Sequence, residues 1–312
     1  MTNADLNLDL DWRIRLASFD RLRGLRTEGG GVVSSQQISE GFEFEGQRIA
    51  FRNPQKGIWR PRQLGPEGAA LTIVTVVPRA GRERPYDDQV ASDANFFVYR
   101  YEGEDPNYWT NRALRRAMEL QRPIIYFYGL TSAVYDPVFP CYIESEEPAE
   151  LAFHVRAGTD AVRAESLFPR HAVQLQREYA TAAVKVRLHQ RRFRELVLTA
   201  YAERCAVCRL RHRPLLSAAH IIEDRDERGV AEVPNGLSLC GVHHDALDAY
   251  ILGINPDYRI EIRRDILEER DGPMLRHGLQ EMNGQIIHLP RSEDLRPNRD
   301  YLQWRHDRFK AA

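Results

Sequence analysis

The segment from Cys205 to Asp248 constrains this 312-residue chain more than any other. It reads Cys205-x-x-Cys208, Ala219-His220-Ile221-Ile222, Asn235-Gly236-Leu237 and Cys240-x-x-His243-His244-x-x-x-Asp248. Cys205, Cys208, Cys240 and His243 have the knuckle spacing of a closed, tetrahedral zinc site, because soft thiolates with one imidazole favour structural Zn²⁺. Chance placement of three buried cysteines does not produce two such knuckles. Zinc there would tie together two chain segments with too little core to hold each other. Four residues are then left over. Hydrolysing a phosphodiester requires a base for water and a cation for the phosphate and the leaving oxygen. His220 is the candidate base, since a neutral imidazole titrates near working pH. His244 and Asp248 stand one helical turn apart and can face one divalent ion, Mg²⁺ or another. Asn235 suits a hydrogen bond to the backbone or imidazole that positions His220. Any one of these residues alone would be ordinary, and Asn235-Gly236 alone is a turn signal. Their order, threaded through a zinc clasp, is what carries information.

Net charge is −1, so the whole molecule is not a polycation. The positive charge is nevertheless concentrated: Lys185, Arg187, Arg191, Arg192, Arg194, Arg204, Arg209, Arg211 and Arg213 face only Glu195 and Glu203 in that stretch. A phosphate backbone responds to such local density. No apolar run reaches membrane-spanning length. Asp5, Asp9 and Asp11 do not fit a signal peptide. Three of four cysteines sit at metal spacing, and Cys141 reads as a lone buried strand residue, which is thiol usage for a reducing, cytoplasmic setting.

Along the chain, Trp12, Leu16, Phe19 and Leu22 predict a first helix over about Asp11–Leu25. Phe42, Phe44, Ile49 and Phe51 alternate around Gly46 as in a hairpin. Strands are expected at Leu71–Val77, Asn95–Tyr101, Ile124–Tyr128, Cys141–Ile143 and Leu151–Val155, with a helix capped by Thr110 or Asn111. From about Ala172 a long basic helix leads into the zinc segment. Further expectations are a strand at Tyr258–Ile262, a turn at Asp271-Gly272-Pro273, a strand at Gln285–Leu289 and a terminal helix from about Arg299. The fold class is α+β, divided into domains over residues 1–172 and 173–312.

The C-terminal pattern resembles the HNH nuclease family, whose fold is a β-hairpin followed by a helix around one divalent metal, the ββα-metal fold. The residues that carry the likeness are Ala219-His220-Ile221-Ile222, Asn235-Gly236-Leu237-Ser238-Leu239-Cys240 and His243-His244-Asp245-Ala246-Leu247-Asp248. The resemblance implies that His220 is the general base, Asn235 the middle asparagine and His244 a metal-binding histidine, with 5′-phosphate products. Many members carry a second metal-binding residue just before the base. That place is Ala219 here, and Asp248 is the candidate to supply the missing ligand.

The N-terminal half is less explicit. Tyr86-Asp87-Asp88 precedes the aromatic stretch Phe96-Phe97-Val98-Tyr99-Arg100-Tyr101. Aromatics with carboxylates can sandwich a flipped base and accept hydrogen bonds from its amine; they can equally be a surface turn and an ordinary aromatic strand. The order Tyr86-Asp87-Asp88, Asn95-Phe96-Phe97-Val98-Tyr99, Asn111-Arg112-Ala113-Leu114 and Pro123-Ile124-Ile125 resembles SRA domains, PUA-like β-barrels with flanking helices that flip modified cytosine from duplex DNA. By that resemblance Tyr86 and Tyr99 stack on the base, and Asp87 or Asp88 reads its edge. Together the two halves resemble SRA-HNH modification-dependent restriction endonucleases, a type IV-like activity. The expectation is an endonuclease acting on double-stranded DNA that carries 5-methylcytosine or a related base. It would hold structural Zn²⁺ and catalytic Mg²⁺ or another divalent ion, and would form a homodimer for double-strand breaks. Two rivals stand beside it: an HNH nuclease indifferent to modification, and a modified-DNA-binding protein without nuclease activity.

Overall fold

The computed structural model describes residues 9–75, 96–158, 170–224, 226 and 228–312, without the side chains of 170–180 and 182. Two compact units are separable, Met1–Leu188 and His189–Ala312.

The first unit contains α1 (Leu10–Glu28), β1 (Val33–Ser34), α2 (Ser35–Glu40), β2 (Phe42–Phe44), β3 (Gln47–Ile49), β4 (Ile58–Trp59), β5 (Thr72–Thr75), β6 (Phe97–Arg100), α3 (Trp109–Glu119), β7 (Ile124–Thr131), β8 (Val134–Glu147) and β9 (Ala152–Ala157). The main sheet has the order β4-β5-β7-β8-β9-β6, with β1 paired to β8. The β5–β7 pair is parallel and the others are antiparallel. Among the described residues β4 and β6 lie at opposite ends, so the described sheet is a curled half-barrel. Strand β7 is buried along nearly all its length because both faces are covered. Tyr126 and Tyr128 enter one core with Leu114 and Ala117 of α3; Ile125 and Phe127 enter another with Ile14, Phe19, Leu22 and Leu25 of α1. Period-2 alternation makes that division. The α1 face is thus centred on Ile14 and not on Trp12 and Leu16, which are only half-buried. Arg15 anchors it, donating to the carbonyls of Ala70 and Pro123 at 3.0 and 2.7 Å.

Helix α3 begins one residue before the expected caps, after Tyr108. Asn111 is instead a buried tie inside the helix, accepting from Glu102 N–H at 2.9 Å and donating to the carbonyls of Glu102 and Asp105.

A long helix, α4 (Arg170–Ala200), contains both the expected boundary at 172/173 and the division between the compact units. The second unit continues with β10 (Leu216–His220), β11 (Gly236–Cys240), α5 (Gly241–Asp248), β12 (Leu252–Ile254), β13 (Ile260–Ile262), α6 (Arg264–Glu268), α7 (Pro273–Gly278) and α8 (Arg299–Ala311). Strands β10 and β11 pair in antiparallel register from Leu216↔Cys240 to His220↔Gly236. Helix α5 follows directly, completing a ββα arrangement. Gly236 has a specific steric reason: a Cβ there would lie 2.4 Å from Val197 and 3.0 Å from Phe193, both on α4. A single apolar core joins α4, the hairpin, α5, β12, β13 and Leu302 of α8. It is larger than the zinc-dependent assembly anticipated from sequence.

Two sequence expectations fail in this unit. Gln285–Leu289 is not a strand; only an isolated bridge, Arg259↔Ile286, forms there. Asp271-Gly272-Pro273 is not a simple turn: Gly272 is the N-cap and Pro273 the first residue of α7, where the fixed φ and missing N–H of proline are tolerated. Among the described residues no helix is long and apolar enough to cross a membrane.

Candidate metal centre and nuclease site

The Cys205–Arg209 knuckle is built by backbone. Arg209 N–H donates to Cys205 O at 2.9 Å, Cys205 N–H donates to Leu210 O at 3.0 Å, and Arg209 takes a positive φ of 61° to close the turn. Ala206 N–H donates to Ser238 O at 2.7 Å, which lays the knuckle against β11. The end of β11 and the first turn of α5 supply Cys240 and His243.

The donor atoms of Cys205, Cys208, Cys240 and His243 all lie within 4.8 Å of one another. Cys208 and Cys240 sulfurs are 3.8 Å apart; His243 Nδ1 lies 3.1 Å from Cys240 Sγ and 3.5 Å from Cys205 Sγ. Zn–S bonds of about 2.3 Å at tetrahedral angles put neighbouring sulfurs about 3.8 Å apart, so the set fits Zn²⁺. His243 Nε2–H donates to Gly278 O at 2.7 Å, which leaves Nδ1 with the lone pair a metal needs. That carbonyl comes from the end of α7. Hydrogen bonds from Cys208 and Cys240 pull the Cys205 thiol far below its ordinary range.

The remaining residues cluster around the hairpin. His220 ends β10, and its ring stacks on Phe193 of α4 with centroids 4.0 Å apart and planes 13° from parallel. Its Nε2 is buried and has no hydrogen-bond partner among the described residues. Burial lowers the His220 pKa; nearby Asp224 opposes this, while His189 and His244 add to it. The imidazole is therefore held neutral, with an unsatisfied ring nitrogen.

Asn235 is fully buried. Its Oδ1 accepts from Ile222 N–H at 2.8 Å, and its Nδ2 donates to Ile222 O and Val230 O, both at 3.0 Å. Ile221 N–H donates to Asn235 O at 2.9 Å. The asparagine thus fixes the chain immediately after His220 and does not touch the imidazole.

His244 and Asp248 meet as their spacing requires, with Nε2 3.4 Å from Asp248 Oδ2. Ser217 Oγ lies 2.6 Å from His244 Nδ1 and donates its proton toward Leu239 O at 3.5 Å. Where Nδ1 carries the proton and donates to Ser217 Oγ, Nε2 keeps its lone pair. Two acceptors, Nε2 and Oδ2, then face each other, and a cation between them satisfies both. An imidazole nitrogen and a carboxylate oxygen so placed would form a donor pair for a divalent ion. Ala219 is buried in the core and brings no donor. Among the described residues, the Cys₃His set is the only group of three or more candidate donors within mutual reach.

Several parts of this site were not read from sequence. Phe193, Ser217 and Gly278 act through ring stacking and hydrogen bonds that have no spacing signature. Arg305 of α8 is 6% exposed and bonds to Asp248 Oδ1 at 2.8 Å. It did have a signal: an arginine inside the buried stripe Leu302, Arg305, Phe309.

The basic stretch divides. Arg187 lies 3.4 Å from Asp136. Arg194 donates to the carbonyls of Arg213 and Leu216, and Arg213 pairs with Glu195 and Glu203. These charges serve the fold, whereas Arg209 and Arg211 are exposed beside the Cys205–Cys208 knuckle.

In the first unit Tyr99 is 7% exposed. Its ring meets Tyr126 edge-on at 6.1 Å, and its hydroxyl donates to Val74 O at 3.2 Å. Gly57 approaches so closely that a Cβ there would lie 2.7 Å from that hydroxyl. Tyr86, Asp87 and Asp88 lie outside the described residues.

Residues 205–255 match the HNH endonuclease family, so this part of the second unit is an HNH endonuclease domain. No curated protein matches the chain. A solved structure, titled modification dependent TagI restriction endonuclease, aligns at 16% identity over 82% of this chain and 86% of that one, with a TM-score of 0.29.

Proposed function

We propose that the chain is a metal-dependent endonuclease of double-stranded DNA in which His220 activates water and His244 with Asp248 holds one divalent ion, Mg²⁺ or another. The observation that carries this reading is the buried, unpartnered Nε2 of His220, in the same small domain as two facing acceptors on His244 and Asp248. A bound divalent ion supplies positive charge for the phosphate and the departing oxygen. His220 accepts the proton of the attacking water at a ring nitrogen, and Phe193 fixes the imidazole plane while that proton moves. Asn235 holds the chain after the base, so the imidazole stays oriented. Cys205, Cys208, Cys240 and His243 hold Zn²⁺ as a structural clasp between the knuckle and α5.

The first unit reads 5-methylcytosine or a related modified cytosine by flipping it. Tyr86 and Tyr99 stack on the base, with Asp87 or Asp88 as the reader. The order of motifs between Leu71 and Ile143 supports this. A methyl group discriminates by only about 1–3 kcal/mol, so selectivity over plain cytosine is modest and flanking contacts matter. A homodimer presents two such sites for a double-strand break. The domains comprise residues 1–172 and 173–312, and the protein acts in the cytoplasm.

A specific observation favours a second reading, a nuclease indifferent to modification: the Tyr99 ring is packed in the core. Digestion of methylated and unmethylated plasmid with Mg²⁺ separates the two. Preferential cutting of methylated DNA supports the base reader; equal cutting supports the second reading; no cutting of either refutes the nuclease.

A further inference from the structure

We propose that Arg305 is a positioning residue of the nuclease site, an inference that rests on the nuclease reading above. It belongs to α8, far beyond the residues that match the HNH family. Its buried guanidinium makes four hydrogen bonds. Nη1 donates to His220 O at 3.4 Å and Ile221 O at 3.2 Å; Nη2 donates to Leu247 O at 3.1 Å and Asp248 Oδ1 at 2.8 Å. One planar group therefore joins the end of the strand that carries the base to the end of the helix that carries the metal donors. The planar, multidentate fork of arginine permits this, and a lysine ammonium cannot reproduce it.

Asp248 shows what the clamp accomplishes. Its side chain is 59% exposed and would otherwise rotate into solvent. Arg305 engages Oδ1, which turns Oδ2 toward His244 Nε2 at 3.4 Å. The same group neutralises part of the carboxylate charge without occupying the oxygen that faces His244. The placement of Arg305 is itself determined by packing. Leu302 and Phe309 on the same face of α8 are buried, and Gly253 of β12 admits the Phe309 ring so closely that a Cβ would sit 2.6 Å from it. The guanidinium carbon also lies 5.6 Å from the centroid of the Tyr250 ring. The family-matching segment thus lacks a part of its own site, and the terminal helix returns to provide it.

The test uses the full chain carrying zinc, with Arg305→Lys and Arg305→Ala beside the wild type. Zinc content and melting temperature report the fold, Mn²⁺ affinity by electron paramagnetic resonance without DNA reports the donor pair, and plasmid cleavage reports kcat and KM. Arg305→Lys should keep its zinc and cooperative melting. Its Mn²⁺ affinity should weaken about 10–100-fold, the usual effect of removing a partner that orients a metal ligand. Its kcat should fall while KM for DNA is unchanged, and Arg305→Ala should follow the same pattern more severely. Folded variants with wild-type Mn²⁺ affinity and kcat would overturn the proposal and leave the nuclease reading intact. Loss of zinc or of cooperative melting in Arg305→Lys would also overturn it, by making the arginine a general fold determinant. A wild-type protein that neither binds Mn²⁺ nor cuts either plasmid would refute the nuclease reading itself, and this inference with it.

Discussion

Replacing Asn235 with alanine should release the chain that follows the proposed base. Three hydrogen bonds disappear: one accepted from Ile222 N–H and two donated, to Ile222 O and Val230 O. Their losses are unequal. Val230 O keeps a second donor, Glu232 N–H at 2.9 Å, whereas the two groups of Ile222 are left unpartnered in a buried place. Each such orphan costs about 1–3 kcal/mol, so the expected penalty is about 2–6 kcal/mol. At about 1.4 kcal/mol per tenfold, even the lower limit accelerates opening of this loop more than tenfold. Hydrogen exchange followed on peptides spanning 216–240 reads that change directly, and the Ile222 amide should lose most protection. Asn235→Asp should not restore it, because the second carboxylate oxygen would oppose the carbonyls of Ile222 and Val230. Cleavage should slow in parallel while zinc content is retained. Unchanged exchange at Ile222 in Asn235→Ala would refute the assignment of this side chain as the staple of the loop.

Other expectations follow from the same geometry. Gly236→Ala forces a Cβ within 2.4 Å of Val197 and should destabilise the second unit by about 1–3 kcal/mol, seen as a lower melting temperature; an unchanged value contradicts the packing argument. Cys240→Ser removes one of the clustered donors and should reduce bound zinc and lower melting together, whereas full zinc with wild-type melting removes the structural role. The pH dependence has a definite sign. Burial lowers the His220 pKa below its ordinary 6.5, and only the neutral ring accepts a proton, so kcat/KM should rise with pH and level off before neutrality. A midpoint above about 7 would exclude His220 as that base.

The legible parts of this molecule were those with a period or a spacing. The hairpin at Phe42–Ile49 and strand β7 followed from alternation and from an apolar run. The clustering of Cys205, Cys208, Cys240 and His243 and the approach of His244 to Asp248 followed from two-residue knuckles and one helical turn. What escaped was made by tertiary contact. Thr110 and Asn111 carry cap chemistry, yet Asn111 ties a loop and the helix starts at Trp109. Gln285–Leu289 is rich in apolar residues, but among the described residues no partner strand extends its single bridge. The basic stretch looked like one phosphate-facing surface, although Glu195, nearly buried, draws Arg194 and Arg213 into the fold. Phe193 and Ser217 reach the site from separate elements, and no local pattern connects them to it.

The central claim is that a neutral imidazole works beside one divalent cation on a DNA phosphodiester. The most direct measurement compares Mg²⁺-dependent cleavage of duplex DNA by the wild type and by His220→Ala, with zinc content and DNA affinity determined on the same samples. The rate should fall by about 10²–10⁴-fold, the usual contribution of a positioned base, with zinc and DNA binding preserved. A folded His220→Ala protein that cuts DNA at the wild-type rate would contradict it.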